Sequence, residues 1–238
     1  MPASKLKLMS VHISDNVVHI WHVNVLPATA AMDEIVATLS PEELERASKF
    51  KLEEDRIHYV CRRSQLRKIL SQYCNCQPTE IIFGYHRYKK PFIDMPGYEA
   101  IKFNLSFSED LMVVAVTKHN EVGVDIEKIH EMQDMAGVAK DNFSAQELTD
   151  FNAAGDKTLI FFNIWTKKEA FIKATGRGMY YPLKEFSINI KAGFHNPSIL
   201  NNSMESKGWT ITEVNTHEGY IAALAVKGSD SSTSLLYR

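Results

Sequence analysis

Two acidic residues two positions apart carry the densest chemistry in the chain, in the run Gly123-Val124-Asp125-Ile126-Glu127. Its apolar partners predict a strand, on which alternate side chains share a face. Asp125 and Glu127 then project together while Val124 and Ile126 turn to the core. Two carboxylates held that close repel each other unless a cation or a proton lies between them. An all-oxygen donor pair suits Mg²⁺, which keeps several waters and binds through one or two carboxylates plus substrate phosphates. Taken alone, the pentapeptide reads more simply as a solvated strand end.

A second run, Trp165-Thr166-Lys167-Lys168-Glu169-Ala170-Phe171-Ile172-Lys173, has helical spacing. Glu169 and Lys173 share one helix face, with Trp165 one turn earlier. As surface residues they make an i,i+4 ion pair worth about 0.2–0.5 kcal/mol. As functional residues they add a third carboxylate to the metal pair and a lysine that holds a phosphate. Ala174-Thr175-Gly176-Arg177-Gly178-Met179 follows, where two glycines stop a helix and also permit close backbone approach beside a guanidinium. Eight Lys or Arg, Arg62 and Arg63 among them, lie between Glu42 and Lys68 with six acids, the composition of a solvated helix face. Further on, Arg87-Tyr88-Lys89-Lys90-Pro91 sets three cations beside a proline turn. Asn104-Leu105-Ser106-Phe107-Ser108 follows a strand, and serine hydroxyls and backbone N–H groups in such a turn can bind phosphate oxygens.

Strands are expected at residues 17–25, 81–85, 101–106, 111–117 and 122–126, from β-branched alternation or short apolar runs. Ser40-Pro41-Glu42-Glu43 and Ser144-Ala145-Gln146-Glu147 are capping boxes that open helices. Longer helices are expected over 53–73 and 157–174, the second ended by Gly176. Strands at 186–190, 209–214 and 220–226 close the chain, with a loop over 196–207 and a frayed tail from 228. Each half thus carries a long helix and several strands. The expected fold is α+β, with two similar-sized α/β lobes in a pseudo-twofold relation, residues 1–120 and 121–238, and the active site in the cleft between them.

Composition narrows the classes. With 238 residues, 45% hydrophobic and 24% charged, the chain is neither disordered nor collagen-like nor a disulfide-stapled mini-protein. Its net charge of −2 argues against a general nucleic-acid coat. No apolar run approaches the ~18–20 residues of a membrane span. Lys5 and Lys7 are followed by no apolar segment, so no signal peptide is expected. The odd set Cys61, Cys74 and Cys76 suits a reducing, cytoplasmic home better than disulfides or zinc. Neither a Walker-type phosphate loop, a Gly-x-Ser-x-Gly elbow nor a His-Glu-x-x-His pair occurs, and the nine histidines are scattered.

In order and spacing, Tyr-x-Lys-Pro, Phe-Asn-Leu-Ser-x-Ser, Gly-Val-Asp-Ile-Glu and Trp-Thr-x-Lys-Glu-Ala-Phe-x-Lys-x-x-Gly-x-Gly-Met closely resemble the 4′-phosphopantetheinyl transferases, from Tyr88 to Met179. Asn142-Phe143-Ser144-x-x-Glu147 matches the family's Phe-Ser-x-x-Glu segment. The chain length resembles the two-lobed surfactin-synthetase-activating (Sfp) type. The resemblance implies transfer of 4′-phosphopantetheine from coenzyme A to a serine of an apo acyl or peptidyl carrier protein, releasing adenosine 3′,5′-bisphosphate. By position Asp125, Glu127 and Glu169 become ligands of Mg²⁺, with Mn²⁺ an alternative, and Asp125, Glu169 and Lys173 the catalytic set. Lys173 would hold a phosphate oxygen, and either Glu169 or a water would take the serine proton. Arg46, Lys90 and Ser106 fall on 3′-phosphate and adenine-side contacts, with His58 and Tyr59 beside them and Lys168 as an extra cation.

The family pattern is broken at two positions. Phe107 replaces a histidine that many relatives use on coenzyme A, and a phenyl ring neither donates a hydrogen bond nor carries charge. Arg62 or Arg63 is then the candidate to supply the missing cation. Glu43 stands where some relatives have lysine. Segment 128–143, with Ile129, Met132, Met135 and Val138, is either a carrier-docking face or a helix packed on its own lobe. A monomer is expected, since one chain supplies both cleft walls. The competing functions are a Mg²⁺-dependent hydrolase of coenzyme A or a nucleotide pyrophosphate, and a non-catalytic coenzyme A-binding module.

Overall fold

Alternation builds the first strand, β1 (Val17–Asn24), whose Val18 and Ile20 are buried. In this computed structural model residues 10–25, 32–190, 208–228 and 234–238 are described. The loop expected over 196–207 and the first eight residues lie outside them. A short helix α1 (Met32–Val36), without a sequence signal, precedes α2 (Pro41–Ala47). The Ser40–Glu43 capping box forms as its residues dictate. Helix α3 (Glu53–Cys74) ends at Asn75 in the left-handed region, φ 47°. A hairpin, β2 (Phe83–Tyr85) and β3 (Pro91–Ile93), leads to β4 (Ile101–Ser108), β5 (Leu111–Lys118) and β6 (Val122–Lys128).

The remaining elements are α4 (Met135–Asn142), α5 (Ala145–Ala153), α6 (Lys157–Thr175), β7 (Trp209–Val214), β8 (Tyr220–Lys227) and β9 (Ser234–Tyr237). Gly176, at φ 73°, stops α6 as expected. Two expectations fail. Residues 186–190 form no strand: a 3₁₀ turn, Leu183–Glu185, precedes them, and Phe186 and Ile188 enter the core singly. The tail does not simply fray, because β9 pairs parallel with β1, Val17 opposite Ser234.

The strands make a sheet ordered β4-β5-β1-β9, the β2-β3 hairpin and a sheet ordered β6-β8-β7. Burial parity shows how they stack. Met112, Val114 and Val116 of β5 join the core under α3, while Leu111, Val113 and Ala115 join Val122, Val124 and Leu224 of the other sheet. Strand β5 is apolar from Leu111 to Val116, where both of its faces are covered. Likewise Ala223 and Ala225 of β8 face away from that shared core and pack with Ala170, Phe171 and Ala174 of α6. The layers therefore run α3, first sheet, second sheet, α6.

Candidate active site

Strand β6 and helix α6 approach closely at Gly123. A Cβ there would stand 2.1 Å from the Ala170 carbonyl oxygen and 2.3 Å from Ala174 N, so only glycine fits. That contact brings Asp125 and Glu127, on one face of β6, beside Glu169 and Lys173, one turn apart on α6. Together with Ser106, Phe107 and Trp165 they line one cavity of about 450 Å³.

Asp125 is 2% exposed. Its Oδ1 accepts from Lys173 Nζ at 2.6 Å and from Ser106 Oγ at 2.8 Å, while Lys173 Nζ also donates to Ser106 Oγ at 2.8 Å. Its Oδ2 and Glu169 Oε1 are buried without a hydrogen-bond partner. Ser108 Oγ stands 3.4 Å from Glu127 Oε2. Burial raises the Asp125 carboxyl despite Lys173 and Ser106, and raises Glu127 with help from the Asp125 charge. Glu169 is pushed up to about 7, chiefly by burial and then by Asp125, with Lys173 opposing.

Orphaned carboxylate oxygens in a crowded, all-oxygen site fit a hard divalent cation. Among the described residues no three His, Cys, Asp or Glu side chains stand close enough together to hold a metal ion. Asp125, Glu127 and Glu169 are the residues that would hold one, and the Lys173 ammonium supplies the nearest positive charge.

The basic residues of the first half divide into those with free donors and those already committed. Arg62 lies 3.7 Å above the ring of half-exposed Phe107, with Nε donating to the His58 carbonyl at 3.0 Å. His58 Nε2 is 3.6 Å from Asp110 Oδ1, and Arg46 sits 5.4 Å over the Tyr59 ring. These residues form a strip along α2, α3 and the β4–β5 turn that meets the cavity at Phe107. Arg63 is taken up by Glu43 and by Tyr85 Oη. Buried Arg67 donates to Glu43 Oε2 at 2.6 Å and to the carbonyls of Pro78 and Ile81. Glu43 is thus a structural hub, which accounts for an acid where the family pattern allows lysine.

Two expected coenzyme A contacts are committed elsewhere. Lys168 is 0% exposed, its Nζ bonded to both Glu147 oxygens at 2.9 and 2.7 Å and to the Phe186 carbonyl at 2.8 Å. It anchors α6 to α5 from inside the core. Glu147 also accepts from Ser144 N and Ile188 N, so the Phe-Ser-x-x-Glu segment is a structural clamp. Lys90 Nζ donates to Glu121 Oε2 and the Ala174 carbonyl, each at 2.8 Å, bracing the first half against the end of α6. Neither lysine lines the cavity. Ile129, Met132, Met135 and Val138 are partly buried against the cluster of Phe161 and Phe162, as the packing alternative expects. Asn104 and Ser108, in the run read for phosphate contacts, instead bond to Val124 N–H and Lys128 N–H of β6, a role that sequence reasoning did not assign them; their alternation with Ser106 was the available signal.

Comparison with known proteins places the chain. Residues 121–225 match the family model described as the 4′-phosphopantetheinyl transferase superfamily, and residues 24–119 match 4′-phosphopantetheinyl transferase, N-terminal. The 4′-phosphopantetheinyl transferase HetI of Nostoc sp. (strain PCC 7120) is 32% identical over 219 residues, 91% of this chain and 90% of that protein. The 4′-phosphopantetheinyl transferase Sfp of Bacillus subtilis (strain 168) is 29% identical over 160 residues, 66% of this chain and 69% of that protein. Among solved structures, holo-[acyl-carrier-protein] synthase of Thermotoga maritima aligns with a TM-score of 0.38 at 17% identity, over 46% of this chain and 64% of that one. The chain belongs to the 4′-phosphopantetheinyl transferase superfamily, as an enzyme of the Sfp type.

Proposed function

We propose that this enzyme moves the phosphopantetheine arm of coenzyme A to a serine hydroxyl of an apo carrier protein, with Mg²⁺ held by Asp125, Glu127 and Glu169. The observation that carries the metal assignment is the pair of buried, unpartnered oxygens, Asp125 Oδ2 and Glu169 Oε1, in one cavity with Lys173. A divalent cation there would screen the donor's diphosphate and offset charge building on the leaving group.

The chain's own residues do the rest. Residues 1–120 supply the donor side: the strip of Arg46, His58, Tyr59 and Arg62 leads the nucleotide end towards Phe107. Arg62, 3.7 Å from the centroid of that ring, supplies the charge that the phenyl lacks. Lys173, partly exposed and one turn from Glu169, reaches a phosphate oxygen of the donor. The carrier serine enters from the side of residues 121–238. Its oxygen bonds to the β-phosphorus, the bond from that phosphorus to the bridging oxygen breaks, and adenosine 3′,5′-bisphosphate leaves with the electron pair. Glu169, whose buried Oε1 has no partner, or a water beside it takes the serine proton. Adenosine 3′,5′-bisphosphate followed by chromatography should form only when apo carrier is added. Nucleotide release at the same rate without carrier would make water the acceptor and the enzyme a hydrolase.

A further inference from the structure

Strands β4 and β6 are edges of different sheets that run side by side without backbone pairing. Polar side chains of β4 take the place of that pairing. Asn104 Oδ1 accepts from Val124 N–H at 2.9 Å, Ser108 Oγ accepts from Lys128 N–H at 3.0 Å, and between them Ser106 Oγ donates to Asp125 Oδ1 at 2.8 Å. Residues 104, 106 and 108 share one face of the strand, and 104 and 108 bond backbone groups four apart on β6, so the three bonds hold one register. Asn104 and Ser108 satisfy edge N–H groups that would otherwise lack partners.

The middle contact has a different consequence. It ends on a carboxylate that the Proposed function reads as a metal ligand, and this inference rests on that reading. Asp125 Oδ1 is filled by two donors, Ser106 and Lys173, whereas Oδ2 has none. The two donors are not equivalent. Lys173 is on a long, partly exposed side chain, and its charge opposes a second cation nearby. Ser106 is 5% exposed on a paired strand and neutral, so it fixes the carboxylate without competing for its charge. We propose that Ser106 is a positioning residue: its hydroxyl, held by β4, orients Asp125 so that Oδ2 is the oxygen offered to the divalent cation. The first sheet thereby sets the metal affinity of a site whose ligands all belong to β6 and α6.

The test is titration with Mn²⁺ alone, followed by electron paramagnetic resonance, on the full chain and on Ser106→Ala and Ser106→Thr. Partners of metal-ligating groups typically contribute about 10–100-fold to affinity. Ser106→Ala should bind Mn²⁺ about tenfold or more weakly, and Ser106→Thr, which keeps the hydroxyl, within about threefold of the parent. Equal binding by Ser106→Ala and the parent would overturn the proposal. So would equal weakening in both variants, which would make the strand's packing the cause and not its hydroxyl. Absence of Mn²⁺ binding in the parent chain would instead overturn the metal reading itself.

Discussion

Lys173 Nζ lies 2.6 Å from Asp125 Oδ1, tying the last turn of α6 to the middle of β6 with the ammonium partly exposed and the carboxylate buried. The pair holds the acidic cavity together before any other cation arrives, yet its lysine is free to turn to a phosphate. Lys173→Met should therefore lower the transfer rate about 10²–10³-fold, the usual loss for one donor to developing charge. Mn²⁺ binding at pH 8 without coenzyme A should not weaken, because a competing positive charge is gone. Parallel loss of rate and Mn²⁺ binding would reduce Lys173 to a support for Asp125.

Glu169 makes the metal-free enzyme sensitive to pH. Its folded-state value of about 7 lies above the ordinary carboxyl range, so the folded state holds the proton more tightly. That contribution to stability is complete below about pH 4.5 and is lost as pH rises through 7. At about 1.4 kcal/mol per pKa unit, the loss is of the order of 1–3 kcal/mol. Thermal melts of metal-free protein at pH 5 and pH 8 should show a larger drop for the parent than for Glu169→Gln. Identical drops would mean that Glu169 is not the strained carboxyl.

The Lys168–Glu147 pair makes a different prediction, since both side chains are 0% exposed. Lys168→Met leaves Glu147 as an uncompensated buried acid and should cost about 3–5 kcal/mol in urea unfolding. Coenzyme A affinity per folded molecule should stay unchanged. A selective fall in affinity with stability intact would restore Lys168 to the binding site.

Arg62 and Arg63 are adjacent in the chain and opposite in duty. Arg62→Ala should weaken coenzyme A binding about 10–150-fold in calorimetry, as a hydrogen bond to a charged group contributes about 1.5–3 kcal/mol. Arg63→Ala removes a partner of buried Glu43 and should act on stability. An effect of Arg63→Ala on affinity alone would reverse the assignment.

What could be seen in the sequence was whatever local pattern determines. Period two placed Asp125 and Glu127 on one face, helical spacing placed Glu169 above Lys173, and Ser40 and Ser144, each with a glutamate three residues on, announced their helices. Partners distant in the chain could not be seen. Nothing near Lys168 distinguishes it from a surface lysine; its fate depends on Glu147, 21 residues earlier. Lys90 meets Ala174, 84 residues on, through sheet and helix packing that no local window contains. Residues 186–190 alternate like a strand but are drawn away by Lys168 and Glu147, which take the Phe186 carbonyl and the Ile188 N–H. Strand β9 is short and exists only because β1 offers it an edge.

The most direct measurement is intact mass spectrometry of an apo acyl or peptidyl carrier protein after incubation with the enzyme, coenzyme A and Mg²⁺. The account predicts one phosphopantetheine added at the carrier serine, abolished by EDTA and by Glu169→Ala while that variant stays folded. Undiminished transfer by Glu169→Ala, or in EDTA, would contradict the metal site. Across several carriers, no mass gain while coenzyme A is consumed would contradict the transfer itself.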